Sequence, residues 1–285
     1  MYRAILILVL FFSIAAHADD VQHLHRRAQA QNAAQEAPHD PGIFYKFVHS
    51  LAPEAAVKMW RGGARPDLPT LMTLRGFVPG SPVYLRIFKE EDVIEAWVKK
   101  GDRFALFEIY PICVKSGALG PKQREGDRQA PEGFYEVGEK QLNPNSSYHL
   151  SFNLGYPNAY DQSLGRTGGM LMVHGACASI GCYALTDANI DEVYGLVQSA
   201  LANGQVSVPV HAFPFRMTRE AFIKHADSPW AGFWMHELLP AYQAFAASGL
   251  PPRLMACDGH YQIMPDDADE TAPLPEGCAA ITAWP

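Results

Sequence analysis

Apolar and polar positions along the middle of the chain follow a pattern that predicts a series of β-strands. Val83, Leu85 and Ile87 belong to one apolar run, and a charged turn at 89–92 separates it from a second run. Similar runs predict further strands at 104–114, 133–137, 148–154, 170–173 and 206–213. Glycine, proline and asparagine separate these runs, which is typical of the turns in a β-rich domain.

Helical patterns occur mainly in the C-terminal third of the chain. Apolar residues recur at helical spacing between 187 and 204, with Asp187 as the predicted N-cap. Thr218 is predicted to cap a short helix. The composition of 230–247 is also helical, and Pro240 is expected to kink or split that helix. Together the patterns predict an α+β fold that is mostly β, with flanking helices.

The first residues of the chain have the features of a secretory signal peptide. Arg3 precedes a nearly unbroken apolar stretch from Ile5 to Ala16, and an A-x-A signature predicts cleavage after Ala18. The alternative is an uncleaved membrane anchor, but the stretch is shorter than the roughly 20 residues that a spanning helix needs. We therefore expect an exported, periplasmic protein whose mature form has no membrane span.

Shifts in composition predict five segments along the chain. They are a signal peptide at 1–18, a flexible polar leader at 19–40, an N-terminal cap at 41–80, a β-rich central domain at 81–216, and a C-terminal helical extension and tail at 217–285.

Composition and charge narrow the function classes. The chain has 285 residues, of which 48% are hydrophobic and 19% are charged, so it can build an ordinary globular core. Its formal net charge of −7 argues against a nucleic-acid partner, which would require a basic surface.

The sequence contains five cysteines, an odd number that leaves at least one thiol without an internal partner. Cys257 and Cys278 bracket a polar, proline-rich tail, and we expect them to form a disulfide. That bond would close a loop of about 20 residues, which stabilises the folded state by about 3 kcal/mol in the chain-entropy model. The remaining cysteines are Cys113, Cys177 and Cys182.

The stretch 172–187 holds the residues with the clearest chemical potential. Cys182 follows Gly181 and precedes the predicted helix, so unpaired backbone N–H groups would favour its thiolate. His174, at the end of a predicted strand, could accept the thiol proton or pair with the thiolate. Backbone N–H groups of Gly181 and Cys182 could form an oxyanion hole.

Two other interpretations of this stretch stay open. His174, Cys177 and Cys182, together with His211, could bind zinc, although their spacing matches no common zinc motif. A disulfide between Cys177 and Cys182 would silence the nucleophile and make the site depend on redox state.

Three ordered motifs resemble those of a known family. His174-Gly-x3-Ser179-x-Gly181-Cys182 resembles the active-site signature of the YkuD-type L,D-transpeptidases. Residues 120–135 resemble the glycine- and proline-containing hairpin region of that family. The segments 156–161 and 165–168 resemble its YafK-like proteobacterial subgroup, which has a short spacing between histidine and cysteine. The chain is identified as a member over roughly residues 81–216.

The resemblance implies a β-sandwich-like catalytic domain and a reaction. The thiolate of such enzymes attacks the meso-diaminopimelate stem peptides of peptidoglycan and forms a thioester. By matching motif positions, Cys182 is the nucleophile and His174 is its base, while Ser179 and Gly181 shape the loop and the oxyanion site. No cofactor and no metal are expected.

The sequence departs from the family pattern at two positions. Ile180 stands where most members have histidine, and Ala184 stands where most have an arginine. If that arginine binds a substrate carboxylate, Arg166 and Lys122 are our candidates to replace it. Further candidates for the cleft are Tyr156, Asn158, Glu132 and Asp127.

The second half of the reaction stays open at this stage. An amine acceptor would give transpeptidation, and water would give hydrolysis, because both start from the same thioester. The subgroup includes enzymes that detach peptidoglycan-anchored lipoprotein, so that lipoprotein is a candidate partner beside the stem peptides. A third alternative is a non-catalytic peptidoglycan-binding protein that kept the fold.

Overall fold

The computed structural model describes residues 66–265 and 273–281. The expected signal peptide at 1–18, the leader at 19–40 and most of the expected cap at 41–80 lie outside this range. Of that cap, the described part contributes one helix, α1 (Leu68–Leu74), whose Leu71 and Met72 are buried in the main core.

Most of the strands pair with antiparallel neighbours. They are β1 (Val83–Phe88), β2 (Val93–Lys100), β3 (Arg103–Pro111), β4 (Val114–Lys115), β5 (Gly133–Val137), β6 (Leu142–Asn143), β7 (Ser151–Asn153), β8 (Met172–His174), β9 (Tyr183–Ala184), β10 (Val208–Phe213), β11 (Leu254–Cys257), β12 (His260–Ile263) and β13 (Cys278–Ala280).

The helices are short except for one. After α1 they are α2 (Ala159–Ser163), α3 (Asp187–Ala202), α4 (Arg219–Lys224), α5 (Ala231–Phe233) and α6 (Leu239–Ser248), with a π-helical turn at Trp234–Leu238 between the last two. A 3₁₀ turn lies at Glu139–Gln141.

Two five-stranded sheets organise the domain. The first sheet has the order β3-β2-β1-β10-β5, and only β1 and β10 run parallel in it. The second sheet has the order β4-β9-β8-β7-β6, and only β8 and β9 run parallel in it. One face of the first sheet, helix α3 and the second sheet share a continuous apolar core. The expected α+β fold, mostly β with flanking helices, is confirmed.

The C-terminal extension covers the other face of the first sheet. Every residue of β1 is buried, because Tyr84, Arg86 and Phe88 point away from the main core toward helix α6. The ring of Phe245 on α6 lies 4.8 Å from the ring of Tyr84, and the guanidinium of Arg86 lies 4.6 Å from the ring of Tyr242. The predicted extension is therefore packed against the first sheet.

The boundaries of several elements differ from the sequence-based expectation. Thr186, rather than Asp187, caps α3, because its side chain accepts the N–H of Asn189. Pro240 lies in the first turn of α6, directly after the π-helical turn, but the helical stretch is continuous from Ala231 to Ser248, so the expected split does not occur there. The strand predicted at 148–154 is reduced to β7, since His149 adopts a left-handed conformation with φ of 69°.

The tail is more regular than its composition indicated. Strands β11, β12 and β13 form a third sheet in the order β12-β11-β13. Cys257 and Cys278 face each other in the register of β11 and β13 and form the disulfide that the sequence led us to expect. Because this sheet contains the buried Tyr261, the tail reaches into the molecule rather than trailing from it.

Substitution of Phe245 tests whether the extension is part of the cooperative fold. Phe245 is 3% exposed and packs on Tyr84 and Trp97. We expect Phe245→Ala to lower the free energy of unfolding by about 3–5 kcal/mol, because it leaves a cavity against the sheet. Urea unfolding measures this change. Val206→Ala, at a site that is 92% exposed, should change it by less than about 0.5 kcal/mol. An equal effect of both substitutions would contradict this packing.

Candidate active site

The candidate site is built on an unusually short connection between two parallel strands. Strands β8 and β9 pair in parallel, yet only the eight residues 175–182 join them. Parallel neighbours ordinarily need a crossover of about a dozen residues or more. The short connection is feasible because both strands are themselves very short. His174 is the last residue of β8, and Cys182 is the last residue of the connection, directly before β9.

The backbone of this crossover loop contains several left-handed residues. Ala176 and Cys177 have φ of 63° and 44°, and Gly181 has φ of 111°. For the two residues that carry a Cβ, such conformations cost on the order of 1–2 kcal/mol each. A Cβ at Gly175 would lie 2.7 Å from Asp187 Oδ1 and 3.0 Å from Tyr148 O. Glycine after His174 is therefore required by the close approach of two neighbouring segments.

A disulfide that the sequence did not predict holds the loop. Cys177 is bonded to Cys113, which lies between β3 and β4. This pairing corrects the alternative of a disulfide between Cys177 and Cys182, and Cys182 is a free thiol. The sequence offered no signal for the pair, because the two residues are 64 positions apart.

The zinc interpretation also fails on geometry. Cys177 is engaged in the disulfide with Cys113. His211 lies on β10 in the first sheet, where its Nδ1 is 2.8 Å from the hydroxyl of Tyr84. Across 66–265 and 273–281, no three histidine, cysteine or acidic side chains are grouped as metal ligands would be.

Cys182 lies at the start of a strand rather than at the start of a helix. Strand β9 follows it directly, and α3 begins only at Asp187, so the expected stabilisation of the thiolate by a helix N-terminus is wrong. Its Sγ accepts the N–H of Met172 at 3.4 Å and donates to the carbonyl of Met170 at 3.7 Å. Burial raises the pKa of the thiol, while the Met172 N–H and the charge of Lys122 oppose that shift.

His174 is buried and held in one tautomer. It is 4% exposed, and its Nδ1 lies 2.7 Å from the carbonyl oxygen of Gly175. A carbonyl can only accept, so Nδ1 carries the hydrogen and Nε2 keeps a lone pair. Burial lowers the pKa of His174, and the bond to Gly175 only partly offsets this shift. The imidazole is therefore neutral at pH 7 and able to accept a proton.

The register of the strands places the two groups on one side of the same pair of strands. His174 pairs with Ala184, and Val173 pairs with Tyr183, so Cys182 lies beside Met172. Neither hydrogen bond of the Cys182 thiol goes to His174. At rest the pair thus consists of a thiol and a neutral imidazole, and proton transfer requires the thiol hydrogen to turn away from Met170.

The other two motif residues, Ser179 and Gly181, belong to the crossover loop, and the roles that the resemblance implies for them stay a prediction. Ser179 Oγ donates to the carbonyl of Cys182 at 2.7 Å, and the Ser179 carbonyl accepts from Ser116 Oγ at 3.1 Å. Gly181 is buried directly before Cys182. These contacts connect the loop to the segment after β4.

Lys122 provides a positive charge close to the thiol. Its Nζ donates to Asp127 Oδ1 at 2.6 Å and to the carbonyl of Arg124 at 2.9 Å. Although burial opposes it, the bond from Lys122 and three backbone N–H bonds lower the pKa of Asp127 to about 2. Asp127 therefore serves as an anionic cap that fixes Lys122, rather than as an open cleft residue.

A fully buried ion pair closes the base of the loop that carries Lys122. Lys89 Nζ donates to the carbonyls of Gly120 and Ala130 at 2.8 and 2.9 Å, and lies 3.0 Å from Glu132 Oε1. Glu132 also accepts the Gly120 N–H and the indole N–H of Trp234, both at 2.7 Å. Sequence reasoning did not identify Lys89, because a lysine in a charged turn is ordinarily exposed.

Arg166 and Asn158 are engaged inside the protein. Arg166 Nη1 donates to Asp161 Oδ1 at 2.7 Å, and its guanidinium lies 5.3 and 5.4 Å from the ring centroids of Tyr160 and Phe233. Asn158 caps α2, and its amide donates to the carbonyl of Phe134 and to the hydroxyl of Tyr261. These side chains are buried, so substrate binding by them stays a prediction that needs movement.

Tyr156 supports the loop from below. It is 3% exposed, and its hydroxyl donates to the carbonyl of Lys122 at 3.3 Å.

Around the thiol of Cys182, by contrast, apolar side chains face solvent: Tyr148, Met170 and Ile180 are 49%, 69% and 80% exposed. The Tyr148 ring lies 4.8 Å from the ring of His174. The approach to the site is therefore partly apolar.

Comparison with known proteins identifies relatives of the chain. Residues 83–211 match the YkuD family, which is described as the L,D-transpeptidase catalytic domain. A curated protein of Escherichia coli (strain K12), named "Putative L,D-transpeptidase YafK", is 44% identical over 202 residues, which are 71% of this chain and 82% of that protein.

Solved structures also show similarity at low identity. The helical cell shape determining protein Pgp2 from Campylobacter jejuni is 18% identical, with a TM-score of 0.39, over 70% of this chain and 85% of that chain. Bd1075 of Bdellovibrio bacteriovorus is 20% identical, with a TM-score of 0.35, over 47% of this chain and 49% of that chain.

Removal of Lys122 tests its electrostatic role. We expect Lys122→Met to move the pH dependence of Cys182 alkylation to higher pH, because the thiolate loses a neighbouring positive charge. Iodoacetamide labelling followed by peptide mass spectrometry measures this profile. Lys99→Met, on an exposed position of β2, is the matched control and should leave it unchanged. An unchanged profile in Lys122→Met would contradict the assignment.

Removal of Lys89 tests the buried pair. Lys89→Met leaves the carboxylate of Glu132 buried without its cation, and we expect a loss of about 3–5 kcal/mol in the free energy of unfolding. Urea unfolding measures this loss, with Lys99→Met again as the control. A loss below about 1 kcal/mol would mean that Glu132 is already satisfied by its N–H partners.

Proposed function

Because the chain belongs to the YkuD-type L,D-transpeptidase family, as its motifs indicated, we propose that it is an exported cysteine enzyme acting on meso-diaminopimelate stem peptides of peptidoglycan through a Cys182 thioester. The observation that carries the proposal is the free thiol of Cys182 on the same side of the β8–β9 pair as the buried His174, two register positions away. The pair has the nucleophile and the base that acyl transfer needs.

The first step is attack on an amide carbonyl. As substrate binds, the thiol of Cys182 turns from the Met170 carbonyl and transfers its proton to Nε2 of His174. The bond from Nδ1 of His174 to the Gly175 carbonyl stabilises the imidazolium that forms. The thiolate then attacks the carbonyl at the L-centre of diaminopimelate, and the terminal D-amino acid leaves with the proton.

Backbone donors support this step. The N–H groups of Gly181 and Cys182 lie next to the nucleophile in a loop fixed by Ser179 and Ser116. Fixed donors of this kind stabilise the oxyanion that develops during attack on a carbonyl. Glycine at 181 permits the turn, since its φ of 111° is unfavourable for other residues.

The second step determines the class of the enzyme. Attack on the thioester by an amine of a second stem peptide gives transpeptidation, which is the reaction we propose. The alternative is attack by water, which would trim stem peptides or release lipoprotein from peptidoglycan. Both outcomes share Cys182 and His174, so the products must distinguish them.

Lys122 is our first candidate for recognition of a substrate carboxylate. The position of the usual family arginine is Ala184, which is fully buried in β9. The Lys122 ammonium is buried and bonded to Asp127 and to the carbonyl of Arg124, but its charge acts on the thiol of Cys182, so a movement that opens the site would bring it to a ligand beside that thiol. Arg166 is paired with Asp161 as Lys122 is with Asp127, and it is the weaker candidate because Lys122 alone of the two acts on the charge of the Cys182 thiol.

Location follows from the proposed substrate. Stem peptides lie outside the cytoplasmic membrane, and the N-terminal segment has the features of a cleaved signal peptide. Within the part of the chain that the structure describes, no helix is long and apolar enough to cross a membrane.

Product analysis tests the proposal. The mature protein is incubated with purified tetrapeptide muropeptides and, separately, with peptidoglycan that carries lipoprotein; Cys182→Ala is the control. Dimers with 3–3 cross-links, or exchange of the terminal D-amino acid, are the expected products. Loss of that residue or of lipoprotein, with water added, would establish the hydrolase instead. Activity equal to the control on both substrates would contradict an enzyme and favour a binding protein.

The pH dependence of catalysis follows from the resting protonation states. The lowered pKa of His174 means that the base is lost only as the pH falls below about 6.5, its ordinary value. We therefore expect kcat/KM to be retained from neutral pH down to 6.5 and to decline at lower pH. An acid limb above pH 7 would contradict a His174 that is neutral at pH 7.

A further inference from the structure

We propose that the Cys113–Cys177 disulfide is a positioning element of the reaction, so that the protein is active with this bond formed and loses activity when it is reduced. The bond holds the crossover loop 175–182, and with it Cys182, in the geometry described above. The inference rests on the proposed function, which it deepens by naming what regulates the same site.

Burial alone does not fix this loop. Residues 176, 177, 178 and 180 are exposed, and the largest apolar side chain of the loop, Ile180, is 80% exposed. A segment without buried apolar anchors opens locally at low cost in free energy. The covalent bond to Cys113 therefore replaces the hydrophobic contact that would ordinarily order a catalytic loop.

The loop conformation also needs an external constraint. Ala176 and Cys177 are consecutive residues with positive φ, and neither is glycine. Such residues persist only where surrounding contacts over-determine them. Here the contacts are the bond from the Ala176 N–H to Asp187 Oδ1, the bond from the Cys177 N–H to the Leu185 carbonyl at 3.3 Å, and the disulfide itself.

The other end of the disulfide is anchored on the strand that follows the nucleophile. The N–H of Cys113 donates to the carbonyl of Ala184 on β9 at 2.9 Å, and β4 then pairs with β9. Cys177 is thus connected to Ala184, through Cys113, and to Leu185, through its own N–H. The disulfide therefore attaches the middle of the loop to β9, the strand that follows Cys182. Reduction of the disulfide removes this constraint on the loop between His174 and Cys182.

The bond is open to a reductant, since Cys113 and Cys177 are both exposed. Dithiothreitol would reduce it by thiol–disulfide exchange: two electrons and two protons pass to the cystine, two thiols form, and dithiothreitol becomes its cyclic disulfide. This predicts an effect opposite to that in an ordinary thiol enzyme, which a reductant protects. The second disulfide, Cys257–Cys278, is remote in sequence and provides the matched control.

The experiment compares three proteins, each with and without dithiothreitol: the wild type, Cys113→Ser with Cys177→Ser, and Cys257→Ser with Cys278→Ser. Dithiothreitol is removed in oxygen-free buffer before assay, and the redox state of each cysteine pair is checked by mass spectrometry. The readouts are the rate of thioester formation on a tetrapeptide muropeptide, the pH profile of Cys182 alkylation, and thermal unfolding. Assays are run well below the unfolding temperature of each variant.

We expect the reduced wild type to lose at least tenfold in the rate of thioester formation and to regain it on reoxidation. The Cys257/Cys278 variant should respond in the same way. The Cys113/Cys177 variant should be slow in both states, with an altered alkylation profile of Cys182. A wild-type rate in that variant, or a change confined to thermal unfolding, would overturn the inference. If the oxidised wild type forms no thioester, the proposed function fails, and the alkylation profiles alone decide on the disulfide.

Discussion

The parallel pairing of β8 and β9 across only eight residues is the constraint on which the site depends. It places His174, at the end of β8, and Cys182, directly before β9, on one side of the strand pair and two register positions apart, and the loop between them contains left-handed backbone. Glycine is needed at 175 for lack of space and at 181 for backbone conformation. The glycines of the sequence motif are therefore explained by the geometry of this short crossover.

A second set of interactions stabilises the segments that surround this crossover. The buried pair of Lys89 and Glu132 closes the loop that presents Lys122 to the thiol. Trp234 of the C-terminal extension donates to the same Glu132, and Tyr261 of the tail accepts from Asn158. The extension therefore does more than cover one face of the first sheet, because its side chains are hydrogen-bonded to the segments that surround the site.

The sequence predicted the parts of the molecule that local pattern determines. The long strands, the main helix, the tail disulfide and the motif from His174 to Cys182 could be identified because each has a local or family signature. The missing parts depend on tertiary contacts. Strands such as β4 and β9 have two residues each and no periodicity. Because β9 lies between Cys182 and the helix, the expected effect of the helix N-terminus on the Cys182 thiolate was wrong, although the start of the helix was predicted to within one residue.

Long-range pairs were equally invisible. The partner of Cys177 lies 64 residues away, and Lys89 is held by residues at 120 and at 130–132, which lie at least 31 residues from it. Spacing could not reveal either of them. For Arg166 the motif position indicated a substrate contact, which stays a prediction, while its pairing with Asp161 in the interior could not be foreseen.

The most direct test of the account is the intact mass of the protein shortly after mixing with a tetrapeptide stem. The account predicts an adduct with the mass of the acyl donor less its terminal D-amino acid, localised to Cys182 by peptide mass spectrometry. An adduct on another residue would contradict the account. Turnover of the stem peptide by the Cys182→Ala variant would contradict it as well.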